Sequence, residues 1–289
     1  LLSAKGNNPH VLVMSATPIP RTLALMIYGD LDISVLDELP PGRQEIETFV
    51  IGGKLHERAY GYIRKHLDDG LQGYIVCPLV ADDEENENSS KIAAENYAKK
   101  LKNGAFKGYS VGLLHGKMKS AEKEAVMHKF ASGQIQLLVS TTVIEVGVDV
   151  PNAVIMMIEN ADMFGLSQLH QLRGRVGRGK HKSTCILVSD AEGDEAKARL
   201  GIIKSTTDGF KISEEDLKLR GPGDFFGSRQ HGLPQLKLAS LEGDMRLLHQ
   251  AQDAARALLA QDPDLSHPDH EPLRSRVEQL FRENRDIFN

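Results

Sequence analysis

Leu137-Leu138-Val139-Ser140-Thr141-Thr142-Val143-Ile144-Glu145-Val146-Gly147-Val148-Asp149 begins as a solid apolar run and ends in a polar turn. A strand covering one face of a sheet alternates apolar with polar residues. An unbroken apolar run is what a strand buried on both faces requires. Comparable runs fall at residues 10–14, 74–77, 111–114, 154–158 and 185–188. Between them the apolar residues recur at helical spacing. Leu55, Ala59, Tyr62, Ile63 and Leu67 share one face, and Ala94, Tyr97, Ala98 and Leu101 another. Ser120 is expected to cap a helix that buries Val126 and Phe130, with Gly133 ending it. Strands alternating with helices predict an α/β fold, a parallel sheet with crossover helices.

The chain has 289 residues, which at about 150 residues per domain predicts two domains. It is 40% hydrophobic and 26% charged, too apolar for a disordered chain. The formal net charge of −5 argues against a small basic DNA-binding module, though it leaves room for a local basic surface. Cys77 and Cys185 are too few for a disulfide scaffold or a Cys-rich zinc fold. Both stand in apolar runs and read as small buried hydrophobes. No stretch reaches the roughly 20 apolar residues of a membrane span, and no signal-peptide pattern opens the chain. The expected setting is cytoplasmic, with no membrane partner. The opening Leu1-Leu2-Ser3, without Met, reads as a fragment that continues upstream.

Pro40-Pro41-Gly42 is a stiff break. It divides residues 1–44, the end of one unit, from residues 45–205, a whole one. Residues 82–90 read as an acidic, solvated loop. After about residue 205 the strand pattern stops and residues 206–289 read as a helical tail. There Ser213 is expected to cap a short helix with Glu214, Glu215 and Asp216 in its first turn, and Gly221-Pro222-Gly223 to stop it. Two amphipathic helices follow. One carries Leu247, Leu248, Ala251, Ala255 and Leu258, the other Leu273, Val277, Leu280 and Phe281.

Chemistry concentrates in Gln171-Leu172-Arg173-Gly174-Arg175-Val176-Gly177-Arg178. At helical spacing, Gln171, Arg175 and Arg178 lie on one face, with Leu169, Leu172 and Val176 on another. One side then packs while the other presents two guanidiniums, which fork onto phosphate oxygens and stay charged. Residues 163–189 hold no Asp or Glu but include Arg173, Arg175, Arg178, Lys180 and Lys182. Gly174 and Gly177 would each cost such a helix about 1 kcal/mol unless something approaches closely. In the opening stretch, Thr141, Thr142 and Glu145 fall at a carboxyl strand end, where parallel sheets place ligand sites. Gly147 permits close backbone approach. Asp149 can accept from a ribose hydroxyl or from an arginine. Ser15-Ala16-Thr17-Pro18 is a hydroxyl-bearing turn after the first apolar run.

Taken in order, these motifs resemble the superfamily 2 helicases and translocases. Ser15-Ala16-Thr17 is similar to motif III, residues 140–149 to motif V, and residues 171–178 to motif VI. The finer resemblance is to the RecG family of branched-DNA helicases. It is carried by Ser15-Ala-Thr-Pro-Ile-Pro-Arg-Thr22, Asp37-Glu-Leu-Pro-Pro-Gly-Arg43, Leu114-His-Gly-Lys-Met118 and Arg220-Gly-Pro-Gly-Asp-Phe-Phe-Gly-Ser-Arg-Gln-His-Gly232. The last resembles the TRG motif, which links ATP hydrolysis to movement along DNA in RecG and in the transcription-repair coupling factor Mfd. The Asp-Glu-Leu-Pro-Pro-Gly segment favours RecG.

The resemblance implies a RecA-like helicase lobe of the P-loop NTPase class, followed by the helical tail. It implies ATP with Mg²⁺ as cofactors, and Arg175 and Arg178 as arginine fingers beside Gln171. Gly147 and Asp149 would lie near the nucleotide. His115, Gly116, Thr141 and Thr142 would meet the DNA backbone. Ser15, Ala16, Thr17, Arg220, Gly223 and Gln230 would couple the two. The implied partners are replication forks and Holliday junctions, in recombination and repair on a bacterial nucleoid, together with an amino-terminal part of the same protein.

Two departures qualify this. The nearest string to a P-loop, Gly174 to His181, ends in His where Ser or Thr is needed, and it should lie between a helix and a strand rather than the reverse. The acidic pair Asp37-Glu38 follows the Ser-Ala-Thr turn instead of preceding it, and reads as a linker. The Mg²⁺ ligands are therefore expected on a missing part of the first lobe, and the 289 residues alone are expected to hydrolyse almost no ATP. Two alternatives remain open: an Mfd-type translocase, and a non-enzymatic module that docks on nucleic acid or protein. His115, His128 and His170 show no metal-ligand spacing.

Overall fold

The computed structural model describes residues 12, 14, 34–36, 38, 43–78, 87–141, 149–220 and 245–283, with backbone only at 87–93, 220, 245–249, 252 and 280–283. By compactness the chain divides between Ser213 and Glu214. The first unit holds, among the described residues, a six-stranded sheet. Its strands are β1 (Ile46–Ile51), β2 (Gln72–Val76), β3 (Val111–Leu114), β4 (Leu137–Ser140), β5 (Ala153–Ile158) and β6 (Ser183–Val188). Across the sheet the order is β1-β6-β5-β2-β4-β3, and every pairing is parallel.

Four of the solid apolar runs become the central strands, and the run at 111–114 becomes the edge strand β3. Every residue of β2, β4, β5 and β6 is buried, because helices cover both faces. On one face α1 (His56–Asp68) and α2 (Glu87–Asn103) pack Ile63, Leu67, Ala98 and Leu101 on Ile75, Val139 and Met157. On the other, α3 (Ser120–Ala131), α4 (Leu166–Arg173) and α5 (Asp194–Ser205) pack Phe130, Leu169 and Ile203 around Tyr74, Leu138 and Met156. Each such Leu, Ile or Met contributes about 1.5–3 kcal/mol by leaving water. Both cysteines sit in this core region, Cys185 buried and Cys77 partly so. Burial pushes both thiols up to about 12.

Several expectations are corrected. The buried face of α1 uses Tyr60, not Tyr62, which is 40% exposed, and Leu55 lies ahead of the helix and is exposed. Ser120 does not cap α3. The Lys119 N–H donates to the Glu122 carboxylate at 3.2 Å, and the buried residues are Met127 and Phe130, with Val126 only partly covered. Gly133 does end the helix, at φ +78°. Residues 87–90, expected in a loop, are the first turn of α2; residues 81–86 are outside the described residues. Residues 10–14 also lie outside, apart from Leu12 and Met14, which are exposed.

Helix α6 (Gly209–Arg220) starts earlier than expected. The Asp208 carboxylate accepts from the backbone N–H groups of Phe210 (2.9 Å) and Lys211 (3.4 Å), so Asp208 is the capping residue. Ser213 lies inside the helix and is buried. Residues 221–223 are not described. In the second unit, α7 (Met245–Gln261) and α8 (Glu271–Glu283) match the two amphipathic segments. Between them the Asp262 carboxylate accepts from His270 Nδ1 (2.7 Å) and from the N–H groups of Ser266 and His267 (2.9 Å each). The His270 hydrogen bond and those backbone bonds hold its carboxyl well below the usual range.

Candidate functional site

A parallel sheet has two unlike edges, one where every strand starts and one where every strand ends. The expected site residues divide between them. At the starting edge, Arg43 precedes β1, Asp149 precedes β5 and Arg178 precedes β6. At the finishing edge stand His115 after β3 and Thr141 after β4. Four to six strand residues at about 3.3 Å each separate the two.

Helix α4 does not continue through the arginine box. It ends at Arg173, with Gly174 as its cap, so Arg175 and Arg178 lie on the turn that follows and not on a shared helical face with Gln171. The glycines explain this. Gly177 has φ +77°, a conformation costly for any residue with a Cβ. A Cβ there would meet Ile46 Cγ1 at 2.8 Å. A Cβ on Gly179 would collide with the Pro151 carbonyl oxygen. The loop is thus wedged between the segment entering β1 and the segment entering β5, and only glycine fits at both contacts. Leu169, Leu172 and Val176 are buried, as the pattern requires.

The loop gathers charge. The Gly174 carbonyl accepts from Arg43 Nη2 at 3.0 Å and from Arg178 Nε at 3.2 Å. Arg178 Nη1 lies 3.4 Å from Asp149 Oδ1, so of the two partners foreseen for Asp149 the arginine is present. Burial and the adjacent Arg178 charge lower the Arg43 pKa, and Asp149 opposes them. Arg175 is partly buried in the same loop. Three guanidiniums against one half-exposed carboxylate leave a positive excess, suited to a polyphosphate. Gln171 lies one turn earlier on α4, partly buried.

Arg173, which the sequence groups with the basic patch, is 2% exposed. Its Nη1 donates to the carbonyls of Ile203 (2.6 Å) and Thr206 (2.9 Å), and Nη2 meets His170 Nδ1 at 3.2 Å. It is a staple for the end of α5 rather than part of the patch. Burial, then the charges of Arg173 and Arg43, push the His170 pKa down to about 4.

At the finishing edge His115 and Thr141 are buried, and Gly116 is exposed. His115 Nε2 is 4.0 Å from Glu95 Oε1. Thr141 Oγ1 has no hydrogen-bond partner among the described residues. A network that sequence reasoning missed stands beside them. Glu159, just past β5, accepts from Tyr97 at 2.5 Å and meets His56 Nε2 at 2.8 Å, and the Tyr60 and Tyr97 hydroxyls are 3.0 Å apart. Burial lowers the His56 pKa, but the Glu159 hydrogen bond and charge outweigh it and the net shift is upward. Helical spacing links His56 to Tyr60, but nothing in the sequence links that pair to residues 97 and 159, which only the fold brings to it.

Ser15, Ala16, Thr17, Thr142, Gly147, Gly223 and Gln230 lie outside the described residues, as does the Arg220 side chain. Among the described residues no three His, Cys, Asp or Glu gather as a metal site, and no helix is long and apolar enough to cross a membrane.

Known proteins resemble this chain over most of its length. Residues 66–180 match the helicase conserved C-terminal domain. Residues 206–287 match domain 3, C-terminal, of the ATP-dependent DNA helicase RecG. A RecG helicase of Synechocystis sp. is 54% identical over 93% of this chain and 32% of its own length. One of Bacillus subtilis is 48% identical over 96% of this chain and 40% of its own. The chain therefore spans about a third to two fifths of these relatives. A solved structure of RecG bound to a three-way DNA junction is 44% identical, covers 84% of this chain and 32% of its own, and superposes with a TM-score of 0.65.

Proposed function

We infer, from a chain that belongs to the RecG family over the stretch it spans, that these residues are the second RecA-like lobe and helical tail of an ATP-dependent helicase acting on branched DNA. In this reading residues 1–44 end the first lobe, 45–205 form the second, and 206–289 carry the TRG motif and tail. The observation that carries it is the starting-edge loop. Arg175 and Arg178 are released from α4 by Gly174 and stand where one carboxylate cannot neutralise them.

ATP, with Mg²⁺, supplies the phosphoanhydride whose cleavage drives the motor. In this chain Arg175 and Arg178 would bind the terminal phosphate and stabilise the charge that grows on it in the transition state. Asp149 holds the Arg178 fork until an anion competes for it. Gln171, one turn earlier, would position the reacting end. His115, Gly116 and Thr141, at the far edge, would face the DNA backbone, with Thr142 following in sequence. Ser15, Ala16, Thr17, Arg220, Gly223 and Gln230 are assigned to coupling. The substrates in this reading are stalled forks and Holliday junctions, in recombination and repair on the bacterial nucleoid, and the other partner is the remaining length of the same protein.

No G-x-x-x-x-G-K-[ST] string occurs in the 289 residues, so the chain alone should not turn over ATP. The test compares the full-length helicase with its Arg178→Ala variant. DNA-stimulated ATPase should fall roughly 10³–10⁵-fold while junction binding persists. A variant that hydrolyses ATP normally would sink the finger assignment, as would robust ATPase from the 289 residues by themselves.

A further inference from the structure

The starting-edge loop contains a cation that the helicase motifs do not include. Arg43 comes from the Pro-Pro-Gly-Arg segment, far from the arginine box in sequence. Yet its Nη2 reaches the same carbonyl oxygen, that of Gly174, to which Arg178 donates. One neutral acceptor thus holds two guanidiniums side by side, an arrangement that like charges resist. Among the described residues, no carboxylate forms an ion pair with Arg43; the carboxylate of the loop, Asp149, is turned to Arg178.

The loop is also built upon the Arg43 segment. A Cβ on Gly174 would lie 3.6 Å from Arg43 Nη2, and a Cβ on Gly177 would strike Ile46 and lie 3.4 Å from the Gln44 carbonyl. Residues 43–46 therefore form a wall of the loop, and that wall carries a charge. A structural role needs only a donor to the Gly174 carbonyl, and that donor need not be charged. A fixed cation beside two others, with one carboxylate for three, has a use when a multiply charged anion enters.

We propose that Arg43 is a third anion-binding residue of this loop, placed by the Gly174 carbonyl to contact the phosphate chain that Arg175 and Arg178 bind. The proposal rests on the reading of the loop as a phosphate site. It predicts that phosphate affinity depends on the charge at position 43 and not merely on a hydrogen bond there.

The probe is metal-free inorganic tripolyphosphate, titrated calorimetrically into the 289-residue chain at low salt. The parent should bind it. Arg43→Gln, which removes the charge, should bind about tenfold more weakly, and Arg43→Lys, which restores it, should recover part of the loss. Arg43→His supplies a charge that can be switched within one folded protein. Its affinity relative to the parent should rise as pH falls, with a midpoint below the ordinary value of about 6.5, because burial and Arg178 oppose a charge at this position. If Arg43→Gln binds like the parent while Arg175→Gln is weakened, Arg43 only shapes the loop and the proposal is overturned, with the phosphate site intact. An Arg43→His ratio that stays flat with pH overturns it in the same way. If the parent fails to bind, or Arg175→Gln and Arg178→Gln bind as it does, the phosphate reading falls and takes the proposal with it.

Discussion

Arg173 and Arg175 stand two residues apart and meet opposite environments. Arg173 is on the last turn of α4, swings under the sheet's cover and gives its protons to the Ile203 and Thr206 carbonyls. Arg175 follows the Gly174 cap and stays in the loop. Replacing Arg173 by Ala would leave those carbonyls unpaired in a site that is 2% exposed. The expected loss is on the order of 3 kcal/mol, since each unsatisfied buried group costs about 1–3. Arg173→Lys should not restore it, because one ammonium lacks the planar fork that serves both sides. Urea unfolding measures this; a loss below about 1 kcal/mol would refute the staple role. The sequence carries no sign of the difference between these arginines. Both are basic residues in one motif, and burial depends on where the helix stops. His115 and Thr141 likewise read as residues of an accessible strand end, and they are at that end but buried.

Elements are legible where one physical demand dominates. Strands β2, β4, β5 and β6 lie between two layers of helices, so each carries a solid apolar run, with polar residues such as Gln72, Ser140 and Ser183 at the ends, and each is readable. Strand β1 is at the sheet edge, with Glu47 and Phe49 exposed, so Ile46-Glu-Thr-Phe-Val-Ile51 never forms a solid run and escapes a search for one. The end of α4 escapes for a related reason. Helical spacing places Gln171, Arg175 and Arg178 on a common stripe, and it gives no weight to whether Gly177 sits at positive φ. The glycines belong to a tight loop and not to a tolerant helix. Gly177→Ala should therefore cost more than the roughly 1 kcal/mol of an ordinary glycine position. The strained φ and the collision with Ile46 add, for a destabilisation of about 2–3 kcal/mol. If thermal melting of Gly177→Ala matches the parent, the tight-loop account is wrong. If the gap can be opened by shortening the obstacle, Ile46→Ala should offset part of the loss.

Two histidines give the whole molecule opposite responses to pH. His170 has its folded pKa held at about 4, below the ordinary 6.5, by burial first and then by Arg173 and Arg43. The folded state thus binds fewer protons there than the unfolded state. Its contribution is complete above about pH 6.5 and is lost as pH falls from there towards 4. His56 has its pKa raised against burial by Glu159, so its contribution is present below about 6.5 and fades as pH rises through its folded value. Lowering pH from about 7 to about 5 should reduce the urea midpoint through His170. In His170→Gln, whose amide oxygen can still accept from Arg173, that fall should shrink. An unchanged pH slope in this variant would show that His170 does not set it.

The opposed edges of the sheet have a consequence for the path between them. Thr141 follows β4 at the finishing edge, and Asp149 precedes β5 at the starting edge. Eight peptide bonds return the chain from the end of β4 to the start of β5, and eight residues can span at most about 26–29 Å. That exceeds the length of β4, four residues at about 3.3 Å each, so the crossing is covered with residues to spare. A loop on a single edge can gain or lose residues and relax into solvent. Here the two ends belong to opposite edges, so Thr141 and Asp149 share one short piece of chain, and a change made at one edge begins only eight residues from the other.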